Sequence, residues 1–182
     1  KANAFTLVAV GSLIPRKRMH LILDAMHLLS DEEIRFVCIG NGPERKRLEK
    51  RTRKYGLQGR VTWHRFLPSR EIARVLRKSH LLVSTSERET FGIVVAEAMM
   101  CGVPVLCTAS GGPEEFVTPG CGRVIDVDAS AEDIAAEISN IRRDYAGYRP
   151  EVNAAQAAAQ FSQNKVMESI VAGYRNVISV ES

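Results

Sequence analysis

Short apolar runs rich in β-branched residues alternate along this chain with segments of helical periodicity, and no other feature constrains the fold as strongly. The apolar runs are almost continuously hydrophobic, as expected for strands that helices cover on both faces. Ile134, Ile138 and Ile141 illustrate the helical spacing between the runs. The sequence therefore predicts an α/β domain with a doubly wound parallel sheet of about six strands. Strands are expected at 5–10, 34–39, 60–64, 80–84, 103–107 and 123–127, and helices at 19–29, 44–55, 69–78, 93–100, 131–143 and after Pro150.

Composition places the chain among ordinary globular domains. Its 182 residues are 45% hydrophobic and 25% charged, which excludes disordered, collagen-like and coiled-coil proteins. No apolar run reaches the roughly 18 residues that a membrane-spanning helix needs. The four cysteines lack C-x-x-C spacing and there is no N-glycosylation sequon, so we expect reduced thiols and a cytoplasmic location.

Charge is distributed unevenly between the two halves. Residues 1–78 contain 18 Lys and Arg against 7 Asp and Glu, a balance of +11, and the remaining residues have a balance of −7, which together give the net charge of +4. A basic half indicates an anionic partner, whether nucleotide phosphate, nucleic acid or acidic lipid. For the run ERKRLEKRTRK at 44–54, a solvated basic face remains an equal alternative.

Residues that follow strands are the candidates for chemistry, because ligands of doubly wound sheets bind at the carboxyl ends of the strands. Gly11, Gly40, Gly42 and the pair 111–112 follow predicted strands, and glycine allows close approach of the backbone to a ligand. Glycine also serves simply to turn the chain, so this signal is weak by itself. The G-x-G-x-x-G and Walker A patterns are absent, which argues against a dehydrogenase or a P-loop enzyme.

Three consecutive cations, Arg16, Lys17 and Arg18, stand between the first strand and the first helix. A cation beside a helix N-terminus attracts phosphate oxygens, because the free backbone N–H groups favour the same anion. A solvated basic loop is the alternative interpretation of this segment.

The most informative segment is SERETFGIVVAEAMMCGVP at 86–104. Glu89 lies in the loop after a strand, Gly92 can begin the next helix, and Glu97 falls in that helix among apolar residues. A carboxylate is costly to bury without a partner. We therefore expect Glu97 to face a ligand or a cation, with a buried glutamate satisfied by protein hydrogen bonds as the alternative.

This segment resembles the Glu-x7-Glu signature of the retaining GT-B glycosyltransferases of family 4, with Glu89 and Glu97 in the two positions. Further stretches are similar in the same order: VGSLIPRKR, IGNGPERKRLE, FLPSREIARVLRKSHLLVSTS and SGGPEEFV. The resemblance implies the Rossmann-like carboxy-terminal half of a GT-B fold. It also implies that residues 1–182 form one donor-binding domain and that the amino-terminal acceptor domain lies outside this sequence. A last helix from Gln163 is then expected to pack against that missing domain.

The resemblance assigns the diphosphate of the donor to one group of residues. Lys17 contacts the diphosphate, aided by backbone amides near Gly11 and at the helix opening of Phe91 and Gly92. The family usually has an arginine where this chain has Ser12.

A second departure is Arg18, since the family usually has glycine after the lysine. The positive charge of the arginine that is absent at Ser12 is then supplied by either Arg16 or Arg18, or phosphate binding is weaker than is typical of the family.

The remaining assignments concern the sugar and the nucleoside. Glu89 holds a hydroxyl of the transferred sugar, with the amides of Thr90 and its neighbours fixing its orientation, and Glu97 accepts hydrogen bonds from the ribose. Ile93 shapes the donor pocket.

The nucleobase is expected between the turn at Gly40 and Gly42 and the segment of Phe66 and Leu67.

The function implied is transfer of a hexose-type sugar from a UDP- or GDP-sugar to a hydroxyl acceptor, catalysed by the full-length protein and not by this chain alone. No cofactor is required and no metal is expected, because Lys and Arg can neutralise the diphosphate. Asp126 and Asp128 match a D-x-D metal pair in letters only.

The expected partners are a nucleotide sugar, the missing acceptor domain and, through peripheral contact, the inner face of an anionic membrane. Two other hypotheses are a non-catalytic nucleotide-sugar-binding domain and a basic module for membrane or nucleic acid. Nucleic acid is not expected, because few aromatic residues interleave the basic run.

Overall fold

Six parallel strands form one sheet in this computed structural model, which describes residues 4–30 and 33–161. The strands are β1 (Phe5–Val10), β2 (Ile34–Ile39), β3 (Val61–His64), β4 (Leu81–Ser84), β5 (Val105–Thr108) and β6 (Gly122–Ile125). The helices are α1 (Met19–Leu28), α2 (Arg45–Lys54), α3 (Ser69–Lys78), α4 (Ile93–Met100), α5 (Ala131–Arg143) and α6 (Pro150–Phe161). Single 3-10 turns lie at Pro15–Lys17, Pro113–Glu115 and Tyr145–Gly147.

The strand order is β3-β2-β1-β4-β5-β6. The chain winds outward from β1 to β3 and then crosses back to β4, which pairs with β1 through Leu7 with Leu81 and Val8 with Leu82. The connections on the two sides of this pair run in opposite directions, so a crevice opens at the carboxyl ends of β1 and β4. The doubly wound parallel sheet expected from the sequence is confirmed, and its switch point is the place where a ligand site belongs.

Two apolar layers cover the sheet, one on each face. Helices α1, α2 and α5 pack over one face, and α3, α4 and α6 pack over the other. Successive strand residues point to opposite faces, so Leu7 belongs to the first layer and Val8 to the second. Continuous hydrophobicity in the strands is thus explained by burial on both sides.

Most predicted boundaries hold to within one residue, and the two shifts of two residues have local causes. β5 begins at Val105 and not at Val103, because Pro104 has no N–H to donate to a sheet ladder. β6 ends at Ile125, because the carboxylate of Asp126 accepts a hydrogen bond from the backbone N–H of Asp128 (2.8 Å) and turns the chain. The helix expected from Gln163 lies outside the described residues.

Within residues 4–30 and 33–161, no helix combines the length and the apolarity that crossing a bilayer requires.

Acid is expected to destabilise this fold through His80, which precedes β4. Its Nδ1 accepts a hydrogen bond from the Thr6 backbone N–H (3.0 Å), and its ring packs against Phe5 and Tyr145 with centroids 5.1 and 5.3 Å away. Burial lowers the pKa of His80 below its usual 6.5. The unfolded chain therefore binds a proton more readily, so the free energy of unfolding should fall as the pH decreases below about 6.5. Urea unfolding between pH 7.5 and pH 5 measures this.

The matched variants are His80→Gln and His27→Gln, the second at an exposed position on α1. His80→Gln should flatten the pH dependence, whereas His27→Gln should keep it. An unchanged slope in His80→Gln would mean that other groups, such as His20, carry the acid sensitivity.

Candidate active site

A cavity of about 330 Å³ opens at the carboxyl ends of β1 and β4. Its walls are the ends of these two strands, the 3-10 turn at Pro15–Lys17, the loop after β4 and the beginning of α4. Its position is the one that the sheet topology predicts for a ligand. A cavity of this size is at the lower end of the range for small-molecule sites.

Lys17 and Glu89 meet inside this cavity, although 72 residues separate them in the sequence. Lys17 Nζ donates to Glu89 Oε1, and the Ser86 hydroxyl donates to the same oxygen (2.7 Å). The side chains of Lys17 and Glu89 are 18% and 15% exposed. The cavity therefore contains a cation and a carboxylate that are both reachable from solvent and already oriented toward each other.

Backbone hydrogen bonds fix the loop that presents Glu89. The Glu89 N–H donates to the Ser110 carbonyl (2.7 Å), and the Glu87 N–H donates to the Arg16 carbonyl (2.9 Å). Gly112 lies so close to this loop that a Cβ atom there would be 2.7 Å from the Phe91 Cα. The glycines after β5, which the sequence suggested for a ligand, serve here to pack one loop against another. No sequence pattern singled out Ser86 or Ser110, which hold Glu89 through a side chain and a carbonyl.

The beginning of α4 forms another wall of the cavity through Thr90, Phe91, Gly92 and Ile93. Gly92 is the N-cap residue with φ of 82°, and no side chain caps the helix. The first backbone N–H groups of α4 thus have no side-chain partner and are available to an anion. A Cβ atom on Gly92 would lie 2.6 Å from Pro113 Cγ, so both the backbone conformation and the packing require glycine there.

The structure separates the roles of Arg16 and Arg18. Arg18 does not line the cavity, because its Nε donates to the Thr85 carbonyl (2.9 Å) and its Nη2 to the Val127 carbonyl. It holds the loops after β4 and β6 together, whereas the sequence had offered it, with Arg16, as one of two cations for the diphosphate. Its φ of 45° lies in the left-handed region, which explains why glycine is usual at this position.

Arg16 lines the cavity, with its Nη1 donating to the Arg88 carbonyl (2.8 Å). Ser12 is exposed and is not part of the cavity wall. Of the two cations that could replace the family's missing arginine, the geometry favours Arg16.

The glycines after β1 and β2 pack against each other. A Cβ atom on Gly40 would lie 1.9 Å from the Gly11 carbonyl oxygen, and one on Gly42 would lie 2.4 Å from the Leu13 carbonyl oxygen. None of these three glycines lines the cavity. Gly11 lies closest to it, because a Cβ atom there would be 3.8 Å from Lys17 Cε. Close approach of two backbones is therefore enough to require glycine at both Gly40 and Gly42.

Glu97 is exposed, which differs from the expectation of a carboxylate among buried neighbours. On α4 the apolar residues 95, 96, 98 and 99 point inward, whereas Ile93, Glu97 and Met100 share the outer face at spacings of four and three residues. No burial cost arises, so the physical argument for a ligand at this position does not hold. The spacing alone would have indicated this outer face.

Glu97 lines a second cavity of about 330 Å³ between α3 and α4, together with Ser69, Ile72 and Arg77. This groove continues along the same face of α4 as Ile93, which belongs to the first cavity.

Phe66 is 82% exposed and Leu67 packs partly into the apolar layer of α3 and α4. Neither lines the two cavities. The Gly40 N–H donates to the His64 carbonyl (2.9 Å) at the end of β3, so the turn at Gly40 and Gly42 lies beside the strand end that leads to Phe66.

Burial raises the pKa of Cys38 and of Cys107 to about 12, so both are neutral thiols. In the described part of the chain, no three His, Cys, Asp or Glu side chains are grouped so that they could hold a metal ion.

The chain is similar in sequence to several glycosyltransferases. The model of the family described as glycosyl transferases group 1 matches residues 1–164. A phosphatidylinositol N-acetylglucosaminyltransferase subunit of Arabidopsis thaliana is 32% identical over 117 residues, which cover 63% of this chain and 26% of that protein. The D-inositol 3-phosphate glycosyltransferase of Mycobacterium marinum is 30% identical over 181 residues, or 93% of this chain and 38% of that protein.

A solved structure has the same fold. The Anabaena protein HepE in complex with UDP and glucose superimposes with a TM-score of 0.85 and 26% identity, covering 96% of this chain and 49% of that one. This chain thus spans well under half the length of these two curated relatives and about half of HepE. Because the family model covers nearly the whole chain and the sheet is that of the solved GT-B enzymes, this chain belongs to the glycosyl transferases group 1 family.

Proposed function

We propose that this chain is the donor-binding domain of a retaining family 4 glycosyltransferase, which transfers a hexose-type sugar from a nucleoside diphosphate to a hydroxyl acceptor. The observation that supports this most directly is the contact between Lys17 and Glu89 in the cavity beside the α4 N-terminus. A cation and free N–H groups suit a diphosphate, and an adjacent carboxylate suits a sugar hydroxyl. In this proposal the acceptor domain lies outside the present sequence.

The donor would occupy the two cavities in succession. Its diphosphate lies against Lys17, Arg16 and the first N–H groups of α4, and its sugar lies beside Glu89. Its ribose follows the outer face of α4, past Ile93, to Glu97. The nucleobase then reaches the groove between α3 and α4, with Ile72 on its wall. This path is an alternative to the nucleobase position that the sequence suggested near Gly40 and Phe66.

Catalysis by these groups is mainly electrostatic. As the bond from sugar to diphosphate breaks, negative charge builds on the leaving oxygens and positive charge on the sugar ring. Lys17, Arg16 and the α4 N–H groups are fixed before reaction and stabilise the departing diphosphate. One preorganised donor contributes on the order of 2.7 to 4 kcal/mol to such a transition state. Glu89 orients the sugar, so that attack occurs on the face the retaining mechanism requires.

The nucleobase and the acceptor can be narrowed by what the relatives are named for. HepE was solved with UDP and with UDP-glucose, so UDP is the first ligand to test and GDP the second. Two relatives are named for phosphatidylinositol and D-inositol 3-phosphate, so hydroxyls of inositol derivatives are the first acceptors to test on the full-length protein.

A non-catalytic nucleotide-sugar-binding domain is the second candidate. Ser12 favours it, because it stands where the family usually has an arginine, and Arg18 is engaged by backbone carbonyls. The two candidates differ in one result: transfer by the full-length protein supports the enzyme, whereas donor binding without transfer supports the second. For the chain alone we expect weak donor binding and no transfer, so turnover by the chain alone would contradict the proposed division into two domains.

Glu97→Ala is expected to weaken UDP binding by about 10-fold or more, because hydrogen bonds to a charged group contribute about 1.5 to 3 kcal/mol. Calorimetric titration with UDP, UMP and uridine locates the loss: all three ligands should lose affinity equally, since each contains the ribose. Glu151→Ala, at an exposed position on α6, is the matched control. Unchanged binding of all three ligands would remove Glu97 from the donor site.

A further inference from the structure

Helix α2 presents a row of cations on its outer side. Lys and Arg fill seven of its ten positions, RKRLEKRTRK. Lys46, Lys50 and Lys54 lie at successive spacings of four residues, and Arg47 and Arg53 flank them. All five are exposed, and we call them the cationic stripe. At 1.5 Å per residue the three lysines span about 12 Å along the helix.

The stripe opposes the stability of its own helix. Like charges four residues apart repel each other on a helix surface. The first turn of α2 contains cations and no acidic residue, although the positive end of the helix dipole favours acids. The two acidic residues at α2 are used elsewhere, Glu44 by Arg47 (3.3 Å) and Glu49 by Arg45 (2.5 Å). Among the described residues, Lys46, Lys50 and Lys54 have no carboxylate within 4.0 Å. The helix dipole favours the cations of the last turn, Arg53 and Lys54, but it does not account for Lys46 and Lys50.

The arginines that point inward from α2 do have structural roles. Arg51 donates two hydrogen bonds to the carboxylate of Asp24, with Nη2 to Oδ2 at 2.6 Å. Arg45 donates to Glu49 and lies over the Trp63 ring, 4.8 Å from its centroid. The outer side thus keeps mainly lysines. A lysine acts as a flexible point charge, suited to diffuse phosphate groups more than to the planar recognition that arginine provides.

The aromatic rings near the stripe are occupied within the protein. Tyr55 stacks on His27, with centroids 4.2 Å apart and ring planes 5° from parallel, and Arg45 covers Trp63. One face of each ring is thus already in contact with a protein group, which reduces the area left for an unpaired base to stack on. The inner side of α2 is anchored by Leu48 and Thr52, which are buried. A helix seated in this way presents a broad surface and does not project into a nucleic-acid groove.

We propose that the cationic stripe is a docking surface for an anionic lipid bilayer. Four to eight cations clustered on one helix are the pattern that binds acidic headgroups. The stripe lies apart from the donor cavity, since none of its five residues lines it. Its amino end adjoins the sheet edge where that cavity opens, because Arg45 Nη1 donates to the Gly40 carbonyl (3.2 Å) at the end of β2. Docking on α2 therefore keeps the donor cavity near the lipid surface.

Vesicle sedimentation tests this surface. The probes are vesicles of phosphatidylcholine alone and of phosphatidylcholine with about 30% phosphatidylserine, at about 0.05 M and 0.5 M salt. The test variant is Lys46→Gln with Lys50→Gln and Lys54→Gln. The matched control is Arg70→Gln with Arg74→Gln and Lys78→Gln, which removes the same charge from exposed positions of α3 on the opposite face of the sheet.

Wild-type chain should bind only the acidic vesicles, and about 0.5 M salt should release it. Three lysines near an acidic surface account for about a 100-fold change in affinity. The affinity of the stripe variant for acidic vesicles should therefore fall by about 100-fold, whereas that of the α3 variant should fall by less than about fivefold. Circular dichroism and UDP titration of both variants establish that the fold and the donor cavity are intact.

Equal losses in the two variants would overturn the proposal, because net charge and not the stripe would then determine binding. So would a duplex of about 30 base pairs that binds more tightly than acidic vesicles and loses that binding in the stripe variant, because nucleic acid would then be the partner.

Discussion

Lys17→Ala should weaken UDP binding by about 10- to 150-fold, the range that corresponds to the 1.5 to 3 kcal/mol of a hydrogen bond to a charged group. Lys17 is the cation nearest to Glu89 in the cavity and stands beside the open end of α4. UMP offers Lys17 less phosphate charge than UDP does, and uridine offers none. The loss of affinity caused by Lys17→Ala should therefore decrease in the order UDP, UMP, uridine. Calorimetric titration with the three ligands measures this.

Two variants make the result for Lys17 specific. Lys78→Ala removes one exposed lysine from α3 outside both cavities and should change UDP affinity less than about twofold, because exposed charges are screened by salt. Arg16→Ala should lose less than Lys17→Ala, because Arg16 is the more exposed of the two residues. If Lys17→Ala weakened uridine as much as UDP, Lys17 would not act on the diphosphate and the proposed donor orientation would be wrong.

Glu89→Gln should have opposite effects on binding and on catalysis. Lys17 Nζ donates to Glu89 Oε1, so a diphosphate must compete with that carboxylate for the lysine. Removing the charge of Glu89 frees Lys17, and UDP should bind about fivefold more tightly, as expected from the roughly 1 kcal/mol of a partly exposed ion pair. In the full-length protein, sugar transfer should fall by about 100- to 1000-fold, because the group that orients the sugar is weakened.

The matched control for Glu89 is Glu87→Gln, an exposed residue two positions earlier that does not line the cavity. It should leave both UDP affinity and transfer unchanged. The double variant Lys17→Ala with Glu89→Gln measures the coupling: if the two residues act through their contact, the Glu89→Gln gain should vanish once Lys17 is absent. A full gain in the double variant would show that Glu89 repels the diphosphate directly.

In the proposed donor site, the ion pair would favour a nucleotide sugar over a free nucleotide. A free diphosphate takes Lys17 away from Glu89 and leaves the carboxylate with only the Ser86 hydroxyl. A nucleotide sugar brings its own hydroxyls to Glu89, so both groups regain partners. The two residues therefore favour the complete donor, and the ratio of UDP-sugar affinity to UDP affinity should fall in Glu89→Gln.

Local sequence patterns were enough to predict the architecture and the sheet edge at which the candidate cavity opens. Strand-like and helix-like periodicities are local, because each follows from which side chains point inward over a few residues. The range of β1 and the helices α3, α4 and α5 were therefore predicted as the structure has them. The topology then placed the loops after the strands at one edge of the sheet, and the family resemblance of these loops is supported by the family match. The outward position of Glu97 was not predicted, although its spacing to Ile93 and Met100 indicates it.

The directions and partners of the site residues, in contrast, follow only from the folded chain. Lys17 and Glu89 meet across 72 residues, and no local pattern states which of three neighbouring cations turns toward the cavity. Arg18 turned to the carbonyls of other loops and Arg16 to the cavity, because hydrogen-bond acceptors on distant segments determined their directions. Gly40 packs against Gly11, and only the assembled sheet brings their backbones into contact. Contacts between segments depend on the folded arrangement of the loops, and for that reason they are absent from any short stretch of the sequence.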